Sequence, residues 1–458
     1  MAQETRNYKY GTAPNILLLI GIVSMGIQIF GYMEAMLLNT YIDHILGLEP
    51  IYIGVMVAGS ATMGLLFHFI FGVYSDNTRS KFGRRGPYLL AGGIISGVSM
   101  IAFGFSNSYI WCFIIDVVFI GIASNSYYAA QRVLVPDLVE MEHRGRVNSL
   151  MSFITMIGLL LPAVLTLFLP FKEPDPKKAG SQILDLLGHR ILLTAGGIAA
   201  IVCGIIGFLF LKDSIPVENL PEKKSFREEL RNTFNITELK KQGEFFKLVL
   251  AMTIYMAGVQ AIQSYLFNII FDIGLSDLDL IIVIAIAVPI FIVSLVIVGR
   301  LTDKIGRKRI IPPTILIACA GFLLTPFIIE GDTINPFLLG INFALIILGI
   351  IGVLIPINTW SQDLLPRNKK GQFQGIYNMV NTLSQVIGGL SAGVVATWLG
   401  TSFSKEFTPI FFLVPVFFLI SIPLFMKVKE TLVIKELDVD SRDVEENSRP
   451  IDTDIENE

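Results

Sequence analysis

The strongest constraint on this sequence is a succession of apolar runs, each about 20 residues long, the length a helix needs to cross a hydrocarbon core of roughly 30 Å. Lipid offers the backbone no hydrogen-bond partners, so a spanning segment is either a helix or part of a closed barrel. The alternating pattern of barrel strands is absent, which leaves helices. Twelve runs lie near residues 15–42, 51–75, 87–106, 109–134, 147–170, 190–211, 246–271, 278–300, 310–329, 336–362, 373–399 and 407–426. The first lacks the small-residue cleavage site of a secretory leader and reads as a span. Composition agrees: 53% of the 458 residues are hydrophobic and 16% charged, more apolar surface than a soluble domain of this size hides.

Two unlike loops between these runs each occur twice, in the same order. YSDNTRSKFGRRGP (Tyr74–Pro87) is echoed by GRLTDKIGRKRIIPP (Gly299–Pro313), and PDLVEMEHRGRVNSL (Pro136–Leu150) by QDLLPRNKKGQFQGI (Gln362–Ile376). Gly83 and Gly306 stand 223 positions apart, Gly145 and Gly371 226. The same order at nearly the same offset marks a duplicated half. The expected fold is an all-α membrane protein, twelve transmembrane helices in two pseudo-symmetric six-helix bundles. Residues 1–211 form the first bundle and 246–428 the second, with a linker at 212–245 and a tail at 429–458. Bundles repeated in this way are the architecture of transporters, whose binding site lies between the repeats.

Charge fixes the expected orientation. With the amino terminus in the cytoplasm, loops 76–86, 135–146, 212–245, 301–309 and 363–372 and the tail fall inside, and each carries Lys and Arg. The outside turns are nearly free of bases, except for the loop holding Lys172, Lys177 and Lys178. Both termini are then cytoplasmic in a multi-pass protein of the cell membrane. From Glu430 onward eleven acids face three bases, a net charge of −8, so residues 1–429 carry +5. That tail, poor in apolar residues, reads as disordered. In the linker, SFREELRNTFNITELKKQGEFF has the helical spacing of a surface-lying amphipathic segment. Its sequon at Asn235 faces the cytoplasm and is not expected to be glycosylated.

The segment GRLTDKIGRK (Gly299–Lys308) resembles the signature loop of the major facilitator superfamily. The first-half copy has four extra residues between Asp76 and Gly83 and resembles the glycoside–pentoside–hexuronide:cation symporters, within them the sucrose-transporter-like branch of plants and animals. GIQIFGYMEAMLLNTYIDHILGL (Gly26–Leu48) and AAQRVLVPDL (Ala129–Leu138) are similar to the first helix and the end of the fourth helix of that branch. The resemblance is specific in the amino-terminal half and generic in the second. It implies the major facilitator fold, alternating access, and movement of a sugar or glycoside with a proton.

Ionisable groups inside the spans are the sharpest local signals, because they are costly in hydrocarbon. Glu34, mid-way along the first span, is the leading candidate for proton coupling; the resembled animal branch has a glutamate there. Asp116 is a second, although the resemblance places the plant coupling aspartate eleven positions before the arginine, where this chain has Gly121. His68 is a third; with Gly64 one turn earlier, the acids of sodium-coupled relatives are missing, so a proton is favoured over sodium. Arg132 matches the family's sugar-binding arginine. The remaining substrate candidates are polar or aromatic: Gln28 and Tyr32 in the first span, Asn125 and Tyr128 in the fourth, Gln260 and Gln263 in the seventh, and Asn378, Asn381 and Gln385 in the eleventh. Amides donate and accept, as hydroxylated ligands require, and aromatic rings offer flat faces. Tyr127, Tyr265, Trp360 and Tyr377 are further such rings. The alternative reading of every member is helix–helix glue.

The loop charges have a conformational reading. Asp76, Arg84, Arg85, Asp137 and Arg144 in the first half, with Asp303, Arg307, Lys308 and Asp363 in the second, can form a latch that holds one conformation and breaks in the other. Topological anchoring alone is the plainer explanation. No GxSxG, HExxH, phosphate-binding loop or metal-ligand spacing occurs, and His143 and His189 read as loop residues without partners, so an enzyme is not expected. Cys112, Cys203 and Cys319 lie in apolar runs as core residues. No cofactor, metal or nucleic acid is implied; the expected partners are a small molecule and the bilayer, the expected state a monomer. The competing cargoes are a lysolipid, a drug or another metabolite.

Overall fold

The computed structural model describes residues 13–168, 170–176, 182–211, 243–330, 333–364 and 370–431. Within them twelve helices are long and apolar enough to cross a membrane: Pro14–Ile45, Pro50–Asn77, Gly86–Phe103, Tyr109–Leu138, Arg144–Thr166, Leu186–Phe210, Gly243–Gln263, Asp277–Ile305, Arg307–Ile329, Pro336–Ser361, Met379–Ser402 and Thr408–Met426. They are taken below as the first to twelfth spans. Proline occupies the first helical turn in five of them, where its missing N–H costs nothing. The linker beyond Leu211, the sequon at Asn235, and the tail beyond Thr431 lie outside the described residues.

The packing shows the pseudo-symmetry directly. In the first half the third span packs on the sixth and fourth, the first on the sixth and fifth, and the second on the fourth. In the second half the ninth packs on the twelfth and tenth, the seventh on the twelfth and eleventh, and the eighth on the tenth. Each contact recurs six spans on. Large buried side chains such as Phe30, Phe103, Phe322 and Phe418 fill the two cores, and the three cysteines are buried and free.

Across the halves, the second span lies along the eleventh. Close approach there depends on glycine: a Cβ on Gly54 would stand 2.8 Å from the Gly389 carbonyl oxygen, and one on Gly393 2.9 Å from that of Pro50. The bonds joining the halves sit on the face opposite the basic loops. Tyr265 donates to Pro50 O at 2.9 Å, the Ile51 amide to Thr397 Oγ1 at 2.9 Å, and Asn268 Nδ2 to Asp43 Oδ2 at 2.8 Å. The lysine-bearing loop that broke the expected charge rule carries an antiparallel pair, β1 (Lys172–Pro174) and β2 (Gln182–Leu184), and Lys172 forms an ion pair with Asp277 at the start of the eighth span. One of the exceptional lysines thus ties the two halves together.

His189 departs from expectation. It lies in the first turn of the sixth span, fully buried, with Nδ1 2.9 Å from Asp185 O and Nε2 3.0 Å from Thr40 Oγ1. Burial of the imidazole required partners, and the first span supplies one.

On the basic face each half carries the same clasp. Arg84 and Arg85 converge on Asp137 at the end of the fourth span, at 3.3 and 3.0 Å, and Arg85 also reaches Asp76 at 2.6 Å. In the second half Arg307 meets Asp363 at the end of the tenth span at 3.0 Å. Arg144 instead donates to the carbonyls of Val139 and Pro136, Asp303 is exposed, and the Lys308 amide donates to Glu430. Every one of these clasps joins elements of a single half.

Candidate functional site

Between the halves lies a cavity of about 200 Å³. Its polar lining is Glu34 and Asn39 from the first span, Ser60 from the second, Asp116 from the fourth, Gln260, Gln263 and Ser264 from the seventh, and Gln385 from the eleventh. Apolar walls come from Met36, Leu38, Met56 and Val57. Exposed Ala35 and Gln263 on its wall show that it reaches solvent, and the ties on the opposite face direct that opening toward the basic face.

Two breaks in helical regularity build this site. The fourth span winds as a π-helix over Ile114–Ile120, where the Gly121 N–H bonds back to the Asp116 carbonyl, five residues earlier. Five positions make one hydrogen-bonded turn of such winding, so Asp116 stands one turn from Gly121 on the same side. Counting α-helical turns from Arg132 misplaces it. The seventh span is interrupted at Ser264 and Tyr265 and resumes at Leu266–Ile273. The interruption turns the Ser264 carbonyl toward Asn39, whose Nδ2 donates to it at 2.8 Å. Irregular backbone at this depth is stable where protein or a wet cavity satisfies it.

The two carboxylates differ in their surroundings. Asp116 is 3% exposed; Oδ2 accepts from the Ser60 hydroxyl at 2.5 Å, while Oδ1 is buried with no hydrogen-bond partner among the described residues. Glu34 is half-buried on the cavity wall and takes part in no hydrogen bond or ion pair with the described residues. No Lys, Arg or His among the described residues lines the cavity.

A model of the Major Facilitator Superfamily matches residues 16–389. The chain belongs to that superfamily. This facilitator is 24% identical over 382 residues to an uncharacterized MFS-type transporter of Methanocaldococcus jannaschii, covering 81% of this chain and 88% of the relative. The sucrose transport protein SUC4 of Arabidopsis thaliana is 25% identical over 163 residues, about a third of either protein. Among solved structures, the nucleoside transporter NupG superposes with a TM-score of 0.69 at 14% identity, over 90% of this chain and 99% of the other. Membership of the superfamily makes the chain a multi-pass membrane transporter, with twelve spans among the described residues, and leaves its cargo open.

The residues singled out from sequence divide in the facilitator's fold. Glu34, Asp116, Gln260, Gln263 and Gln385 are brought together on the cavity wall. Tyr128 places its hydroxyl against Gly31, which also lines it. His68 and Arg132 meet each other, Nη1 to Nε2 at 3.4 Å, with Arg132 exposed nearer the basic end of the fourth span, so neither is on the wall. Asn125 donates to Gly121 O of its own helix at 2.8 Å, and Gln28 packs by Gly158 of the fifth span. Tyr32 is buried edge-on to Phe267 at 5.6 Å, joining the first span to the seventh. Asn381 is half-buried; the side chains of Asn378 and Tyr377 lie outside the described residues. Three aromatic rings turn out to be glue: Tyr127 bonds to Val23 O, Tyr265 to Pro50 O and Gly389 O, and Trp360 to Lys429 O. Asn39 and Ser60 were not legible as site residues, since only the helix break and the π-turn reveal their position.

Proposed function

We propose that this facilitator moves a small polyhydroxylated molecule, a sugar or glycoside, by alternating access in symport with a proton. The supporting observation is the cavity between the halves, where Glu34 and Asp116 stand, among the described residues, without a basic partner inside a ring of amides and hydroxyls. Amides and hydroxyls match a cargo that both donates and accepts. A carboxylate is costly as an anion in a closed membrane cavity and well solvated when water enters. Alternating access therefore makes proton uptake and release by Glu34 part of the cycle, with Asp116 as its neighbour. The clasps at Asp137 and Asp363 hold each half rigid while the ties at Asn39, Asp43, Pro50 and Lys172 open and close. In this reading the protein is a monomer in the cell membrane with both termini cytoplasmic, its bundles spanning 1–211 and 246–428. A lysolipid carrier would need a long apolar groove opening sideways, and the mixed lining of the cavity favours the hydroxylated cargo.

The test is uptake into proteoliposomes with an imposed pH gradient. A glycoside accumulates in the wild type; in Glu34→Gln it equilibrates across the membrane without accumulating. Undiminished accumulation by Glu34→Gln removes the coupling assignment.

A further inference from the structure

We propose that the cargo is itself cationic, a polyhydroxylated amine of the amino-sugar class, and that its ammonium group sits between Glu34 and Asp116. This rests on the transport reading above and narrows its substrate.

The argument begins with charge. Two carboxylates share one cavity of about 200 Å³. Among the described residues no basic side chain lines it to balance them. One coupled proton neutralises one carboxyl and leaves one negative charge. A neutral sugar leaves that charge uncompensated on closure, and an uncompensated charge sealed from water is strongly destabilising. An ammonium group on the cargo cancels it.

Hydrogen bonding points the same way. The Asp116 side chain is 3% exposed, and its Oδ1 is buried with no partner, although Oδ2 is satisfied by Ser60. A buried orphan acceptor on a cavity wall calls for a donor brought by a ligand. The Glu34 carboxylate faces the same cavity, also without a hydrogen bond from the described residues. An ammonium has three donors and no acceptor, so it serves two carboxylates at once. The opposite wall carries Gln260, Gln263 and Gln385, whose amides suit hydroxyls. A cavity below the roughly 300–1,000 Å³ of drug-sized sites takes a small cargo. Charge at one end and hydroxyls at the other describe an amino sugar or amino polyol.

The experiment uses matched pairs that differ in the amine: D-glucosamine against D-glucose, and N-methyl-D-glucamine against sorbitol. Wild-type protein in proteoliposomes is assayed at mildly acidic pH, where both amines are charged. Each amine is expected to be taken up at least tenfold better than its neutral partner, with the preference lost in Asp116→Asn and largely kept in Asp116→Glu. Thermal stabilisation of purified wild type by the same four compounds gives a readout independent of how the variants fold, with only the amines raising the melting temperature. Equal or better uptake of the neutral members overturns the cationic assignment and leaves sugar transport standing. Silence of all four, with gradient-driven uptake of a lysolipid or apolar drug, overturns both.

Discussion

At the scale of single residues, the informative atoms are those left without partners. Tyr32 is 7% exposed, and its hydroxyl is buried with no hydrogen bond to the described residues. A desolvated hydroxyl without a partner is a cost to the fold. Tyr32→Phe is therefore expected to leave thermal stability unchanged or to raise it by up to about 1 kcal/mol, as read by the melting temperature in detergent. A fall in stability would show that the hydroxyl has a protein partner in the resting state. Glu34 was legible because a lone acid in a 20-residue apolar run stands out whatever its neighbours are. Asp116 was half legible: its chemistry was visible, its position was not. Nothing in IIDVVFI marks a π-turn, so counting along the chain left Asp116 five positions from the place the resemblance assigns.

At the scale of elements, two contacts control how the helices move. The second and eleventh spans touch through Gly54, whose added Cβ would meet Gly389 O at 2.8 Å. Gly54→Val pushes these spans apart on the face opposite the basic loops. Overpacking of this kind costs about 1–3 kcal/mol, here charged to the conformer closed on that face. Labelling of an Ala35→Cys reporter by an impermeant maleimide added from that side should rise in the valine variant; unchanged labelling would show that the contact does not govern closure. The second contact is the clasp of two nearly buried guanidiniums on Asp137. Asp137→Asn removes the carboxylate the two share and should cost about 3 kcal/mol, whereas Asp76→Asn, at a carboxylate about half exposed, should cost under about 1 kcal/mol. Chemical denaturation of both variants in one detergent decides the order. The loop charges, and the pairing of Asp76 with a loop base, were legible from the repeated motif, but the pairing with Asp137 and Asp363 was not. Asp137 and Asp363 sit at the ends of other spans, and only the packing of the bundle brings them to the arginines. The hairpin β1–β2 was likewise invisible, because three-residue strands carry no periodicity.

At the scale of the whole molecule, the duplication seen in the loops returns in the packing, contact for contact and clasp for clasp. Span number and approximate limits followed from hydrophobic length alone, since lipid forbids other solutions. The asymmetry of the resting state did not follow, because both conformers use the same helices. Most ties between the halves are deep, but one is not. Lys172 meets Asp277 on the rim, with the aspartate side chain 55% exposed. Charges in that position feel the bathing electrolyte, whose screening length shrinks from about 10 Å at 0.1 M to about 3 Å at 1 M. The poise between resting and opened forms is then a function of ionic strength on that face, by up to about 1 kcal/mol or roughly a fivefold change in ratio. Brine should loosen the door and fresh water tighten it, and a Lys172→Gln protein, measured by the same maleimide labelling, should be indifferent to the difference.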